Sequence, residues 1–247
     1  MGRNRSNDDS IENEPQFQRR FYDEQPIEEP LRALQDSEIA ENSVWDEPNI
    51  KEAQPHDAVT YRSMLQQRMA SITSIQSWGL TLLVAIVAGP LAIIGTFASH
   101  QGATGIAAGL LVPVLIAPLI EEIMKNASAL WVAETHPHWF RSPVQIAICV
   151  LASGAAFAVV ENFLYLHVYE PNPSPSLVQW RWTVCVALHM GCAFVAGLGT
   201  VRIWKTTVTQ GTLPQLALGA PYMIAAMVIH GSYNAMAVLL ELFAHPF

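Results

Sequence analysis

Glu121, Glu122, Lys125, Glu161, Asn162, His189, His230 and Asn234 all stand inside otherwise apolar stretches of this chain. A charged side chain at the centre of a bilayer costs several kcal/mol, so such groups persist when they are paired or when they do something. Lys125 follows Glu121 by four residues and Glu122 by three, a spacing that shares one helical face and lets an ion pair account for one glutamate. One carboxylate of that pair, and Glu161, remain in excess. Two or three carboxylates, two imidazoles and a carboxamide in a low-dielectric pocket suit the hydrolysis of a carbonyl compound. A desolvated glutamate beside a like-charged neighbour is placed to take a proton from water. A histidine and the Asn234 amide, one turn after His230, could donate to the developing oxyanion. The same residues could instead hold a metal, since two His and one Glu with an open position suit catalytic zinc. His189, His230 and Glu122 form that ligand set, although the chain has no HExxH.

The elements that must carry these groups are membrane spans. Of 247 residues 51% are hydrophobic and only 14% charged, against roughly 25% charged in a soluble domain. The charge is uneven: residues 1–76 hold 15 acidic and 8 basic side chains, residues 77–247 only 6 and 5. The first 76 residues are polar and acidic, lack sustained apolar periodicity, and are expected to be a mostly disordered tail. Within them, residues 58–76 could form an interfacial helix. No short apolar run follows Met1, so no cleavable signal is expected. An acidic tail on an apolar body offers no basic surface for phosphate backbones, which excludes nucleic acid as a partner class.

A span needs about 20 mostly apolar residues. Five stretches qualify, roughly 79–98, 105–133, 144–168, 183–203 and 215–243. The expected fold is therefore all-α, a polytopic helical membrane protein with about five spans over residues 77–247. Six of the seven Trp residues (Trp78, Trp131, Trp139, Trp180, Trp182 and Trp204) fall at the ends of these stretches, where amphipathic rings favour the headgroup boundary. Counting short-loop Lys and Arg puts Arg62, Arg68, Arg141, Arg202 and Lys205 inside and only Arg181 outside, so the N-terminus is expected in the cytoplasm. A second span over 105–133 sets Glu121 and Glu122 near midplane, close in depth to His189 and His230, with Glu161 displaced slightly outward.

Four segments then carry a family resemblance: APLIEEIMK at 117–125 (EExxK), FAVVENFLY at 157–165 (FxxxEN), His189 eight residues after Arg181, and HGSYN at 230–234 (HxxxN). Together and in this order they resemble PrsW-type intramembrane proteases, part of a broader group that includes CAAX prenyl endopeptidases and bacteriocin-processing membrane proteins. The resemblance implies proteolysis of a membrane-anchored protein, such as an anti-sigma factor, in a bacterial cytoplasmic membrane. By the same match Glu121 and Glu122 would activate water with Glu161 and His189 as partners. His230 and Asn234 would form the oxyanion site. Lys125, Arg181 and Asn162 would position carboxylates or substrate. The CAAX branch has His where this chain has Glu161, which favours the PrsW branch.

Two other function classes compete: a membrane binding or immunity protein without catalysis, and a proton or ion translocator, because buried Glu and His chains also relay protons. His136 and His138 form an H-x-H in a loop, read as an interfacial cluster rather than a metal site. Cys149, Cys185 and Cys192 read as small buried hydrophobes.

Overall fold

The computed structural model describes residues 43, 45, 58–99, 111–170 and 172–244. The disorder expected for the N-terminal tail falls almost wholly outside them, as does the start of the expected second span. The chain divides into two units, Met1–Thr60 and Tyr61–Phe247. In the first, the Ser43 hydroxyl donates to the Val59 carbonyl at 2.8 Å.

The described residues of the second unit form helices joined by short loops, with no strand among them. Helix α1 (Tyr61–Ser71) lies where a lead-in helix was expected and buries Tyr61 and Leu65. It is followed by α2 (Ser74–Ser99), α3 (Ala117–Thr135), α4 (Pro143–Leu164), the short α5 (Pro175–Trp180), α6 (Val186–Gln210) and α7 (Ala220–Ala244). Three π-turns interrupt this series: Val112–Ile116 leads into α3, Tyr165–Tyr169 extends α4, and Arg181–Cys185 joins α5 to α6. Among the described residues, four helical segments are long and apolar enough to cross a membrane, at 74–91, 143–169, 175–210 and 220–240. The fifth expected span, α3 with its π-turn, carries Glu121, Glu122, Lys125 and Glu134 and packs against α2, α4, α6 and α7. Its charges disqualify it on composition alone, and its neighbours are what allow it to lie there.

Without a hydrophobic drive between helices in lipid, packing relies on small residues and hydrogen bonds. Helices α4 and α6 pack closely, and a Cβ at Gly197 would lie 2.6 Å from a Val150 methyl. At the end of the bundle formed by the α3–α4 and α6–α7 loops, polar groups tie the elements together. Gln145 Nε2 donates to the hydroxyls of Ser77 and Thr81, both at 2.8 Å, joining α4 to α2. Arg141 donates to Ser74 Oγ at 3.1 Å and to the Ile72 carbonyl, and Trp204 Nε1 donates to the Pro137 carbonyl at 2.9 Å. Every such bond removes an unsatisfied polar group from the bundle, at about 0.6 kcal/mol each on average.

Candidate functional site

Four helices bring the polar residues together. Glu121, Glu122 and Lys125 come from α3, Glu161 and Asn162 from the last turn of α4, His189 from α6 and His230 from α7. Each π-turn lies within nine residues of one of these groups. Such turns widen the helix by one residue and re-aim the side chains beyond them, and they recur at functional sites. Glu121, Glu122, Lys125, His189 and His230 are all buried, none more than 2% exposed.

Two carboxylate–imidazole pairs organise the centre. His230 Nδ1 is 2.8 Å from Glu122 Oε1, and its Nε2 is 3.7 Å from Glu121 Oε2. His189 Nε2 is 2.8 Å from Glu161 Oε2, and its Nδ1 faces Lys125 Nζ at 3.4 Å. The two rings meet edge to face with centroids 4.9 Å apart. Lys125 donates to Glu122 Oε1 and lies 4.7 Å above the Phe157 ring. Phe157 in turn packs on His189, centroid to centroid 4.9 Å. Arg181 closes the far side: Nη2 donates to Glu161 Oε2 at 2.8 Å and Nε to Asn162 Oδ1 at 3.0 Å, while Asn162 Nδ2 donates back to the Arg181 carbonyl at 2.9 Å. That reciprocal pair locks the Arg181–Cys185 turn onto α4.

With neutral imidazoles the site holds three carboxylates against two cations, Lys125 and Arg181. The excess negative charge is buried, and Glu122 Oε2 has no hydrogen-bond partner. One oxygen of Glu121 and one ring nitrogen each of His189 and His230 lie within 4.8 Å of one another. A family model described as PrsW family intramembrane metalloprotease matches residues 74–246. The chain belongs to that family. Comparison with curated proteins and with solved structures finds no match.

The PrsW assignment makes the chain an integral membrane protein of the intramembrane protease class, and its description as a metalloprotease can be tested against the donors present. They fit. A metal-ligating histidine usually gives its second nitrogen to a carboxylate, which fixes the tautomer and raises ligand basicity. Both site histidines have that arrangement, His230 with Glu122 and His189 with Glu161. A divalent cation would also offset the excess charge. The convergent set contains Glu121, where the sequence reading had Glu122 beside the two histidines. Glu122 is already held by Lys125 and by His230 Nδ1, which leaves Glu121 as the carboxylate facing both rings.

Of the residues singled out in the sequence, Glu121, Glu122, Lys125, Glu161, Asn162, Arg181, His189 and His230 share this network. Asn234 does not donate to it. Its Nδ2 bonds the Pro113 carbonyl in the π-turn before α3, at 2.8 Å. Sequence reasoning passed over Phe157 and Tyr165, the first and last residues of FAVVENFLY: Phe157 supports Lys125 and His189, and Tyr165 lies 4.2 Å beneath the Arg181 guanidinium. Their spacing of four residues either side of Glu161 places all three on one helical face and was the available signal.

His136 and His138 are remote from the site. His136 stacks with Trp139 at 4.5 Å and approaches Trp131 at 5.0 Å, an aromatic cluster at the loop end of the bundle. Burial, with Arg68 and His136 adding repulsion, pushes the His138 imidazole down to about 4, and burial followed by Arg68 also lowers His136. Cys185 is buried and lies 3.1 Å from the Tyr233 hydroxyl, and Cys192 packs with Ala196 and Ala226.

Proposed function

We propose that this protein hydrolyses a peptide bond of a membrane-anchored substrate, with Glu121 taking the proton from the attacking water between His189 and His230. The observation that carries the reading is the approach of one Glu121 oxygen and one nitrogen of each imidazole to within 4.8 Å in a buried pocket. A buried, preorganised carboxylate needs no reorganisation when the reaction begins.

The roles follow from what each side chain already contacts. Lys125 balances Glu122, which holds His230 through Nδ1. Arg181 balances Glu161, which holds His189 through Nε2. Both rings are thereby fixed: His230 turns Nε2 toward Glu121, and His189 Nδ1 faces Lys125 Nζ at 3.4 Å. Glu121 abstracts the water proton as the oxygen attacks the scissile carbonyl, and returns it to the departing amine. The residues that would hold a divalent metal such as zinc are Glu121, His189 and His230; a bound metal would supply Lewis-acid polarisation of a carbonyl and acidify water, and Glu121 would then serve as a ligand rather than as the base.

The reading extends to a single-span protein substrate, an anti-sigma factor being one candidate of that kind, and to a bacterial cytoplasmic membrane with the N-terminus inside. From the ends of α3 and α4 at the α3–α4 loop, Glu121 lies 14 residues away and Glu161 18 residues away, about 21 and 27 Å along their helices. In a hydrocarbon core of about 30 Å, that supports a site beyond midplane, nearer the side opposite the loop. The test is cleavage of a co-reconstituted single-span substrate in proteoliposomes. Glu121→Gln keeps the volume, removes the base, and should abolish cleavage while the protein remains in the membrane; full activity would sink the assignment.

A further inference from the structure

The turn ahead of Glu121 has a hydrogen-bonding deficit that α7 makes good. In a regular helix the Pro113 carbonyl would accept from the N–H of residue 117. Here the Ala117 N–H goes five residues back to the Val112 carbonyl, and the next residue, Pro118, has no N–H to offer. A carbonyl left unpaired in a lipid-embedded bundle costs several kcal/mol. Asn234 Nδ2 supplies the missing donor at 2.8 Å. Gly231, three residues earlier on α7, permits the approach: a Cβ there would run into the Val114 carbonyl oxygen and come within 3.8 Å of the Pro118 ring.

This grip lies close to the reacting groups on both sides of the contact. Pro113, in the π-turn that leads into α3, precedes Glu121 by eight residues, about 12 Å of helix. On α7, Asn234 follows His230 by one turn. The helix bearing the two glutamates is therefore pinned, just before them, to the helix bearing the histidine they contact.

We propose that Asn234 is a positioning residue: through the Pro113 carbonyl it sets Glu121 and Glu122 in register with His230, instead of donating to the reacting carbonyl. The proposal rests on the reading of Glu121 as the reactive carboxylate. A misplacement of about 1 Å at a reacting group can cost roughly 10²-fold in rate, so a clamp outside the reacting atoms can carry an effect as large as an oxyanion donor. The two roles differ in what rescues them. Pro118→Ala returns a backbone N–H at the position where the deficit arises, so it should relieve a clamp and do nothing for an oxyanion donor.

Two measurements decide. The first is hydrogen–deuterium exchange over residues 114–123 of the full chain in detergent, wild type against Asn234→Ala. One hydrogen bond of about 1 kcal/mol should appear as a roughly five- to tenfold faster exchange in the variant. The second is kcat and KM on a single-span substrate for Asn234→Ala with Pro118 present and with Pro118→Ala. The expected result is a kcat loss of roughly 10²-fold at little-changed KM, shrinking to a few-fold in the Pro118→Ala background. Unchanged exchange over 114–123 overturns the proposal, and so does an equal kcat loss in both backgrounds, which would identify a transition-state donor. Should Pro118→Ala fail to fold, or the wild type show no cleavage, the exchange comparison decides alone, because it needs no activity. Absent cleavage by the wild type would count against the protease reading and leave the clamp standing.

Discussion

Replacing Lys125 with Met keeps the side chain's length and apolar body but removes the cation that balances Glu122. Both groups are fully buried, with 0% side-chain exposure on each, so no water can take over. Breaking one partner out of a buried pair typically costs about 3–5 kcal/mol. The His230 contact to Glu122 offsets part of that, which places the expected loss for Lys125→Met near 3 kcal/mol, or about 6–12 °C in melting temperature for a domain of this size. The partner substitution Glu122→Gln removes the charge that Lys125 was neutralising. In the double variant Glu122→Gln/Lys125→Met both charges of the pair are removed together, the net charge of the site returns to that of the wild type, and most of the stability should return. Activity should not, because His230 then lacks the carboxylate that fixes its ring. Thermal unfolding in detergent, followed by intrinsic Trp fluorescence, together with substrate cleavage, separates the two effects. A Lys125→Met protein as stable as wild type, or a double variant less stable than either single one, would refute the assignment of Lys125 as the counter-charge.

Arg181→Lys keeps the charge but replaces the spaced, planar donors Nε and Nη2 with a single nitrogen, so kcat should fall roughly tenfold or more with little change in KM, as measured by steady-state cleavage. The His138 imidazole takes up a proton less readily folded than unfolded, so the stability it contributes is present above its ordinary value of 6.5 and is lost as pH falls toward 4. Between pH 7 and 5 the wild type should lose about 2 kcal/mol more than His138→Gln, and equal pH dependence of the two melts would contradict it. Residues 2–56 are polar and acidic, and the site residues named above all lie between 121 and 230, so deleting residues 2–56 should leave cleavage by purified protein within a few-fold; loss of all activity would show that they belong to the active structure.

The helical membrane architecture was legible because apolar length and boundary Trp residues record where a chain meets lipid. Trp131 lies four residues before the end of α3 and Trp139 within the α3–α4 loop, and Trp204 docks on Pro137 there. The meeting of the EExxK, FxxxEN, Arg181, His189 and HxxxN residues was legible from their cost in lipid, since a buried charge must find partners. What could not be read was direction. Glu121 and Glu122 are adjacent, so their side chains leave the helix about 100° apart, and only the packing of α7 decides that one faces the two imidazoles and the other faces Lys125 and His230 Nδ1. Asn234, one turn after His230, has the spacing of an oxyanion donor. Its contact with Pro113, 121 residues away, depends on a π-turn whose hydrogen bonds skip one residue, and no periodicity in the apolar pattern announces that.

The central claim is that Glu121, His189 and His230 act as one reactive centre. Residues that act as a unit are strongly non-additive, so the direct measurement is single-turnover cleavage of a reconstituted single-span substrate by Glu121→Gln, His189→Ala and the double variant. Each single substitution should lower the rate by about 10²–10⁴-fold, and the double variant should be no slower than the worse of the two. Losses that multiply in the double variant, or a single variant retaining wild-type rate, would contradict the account.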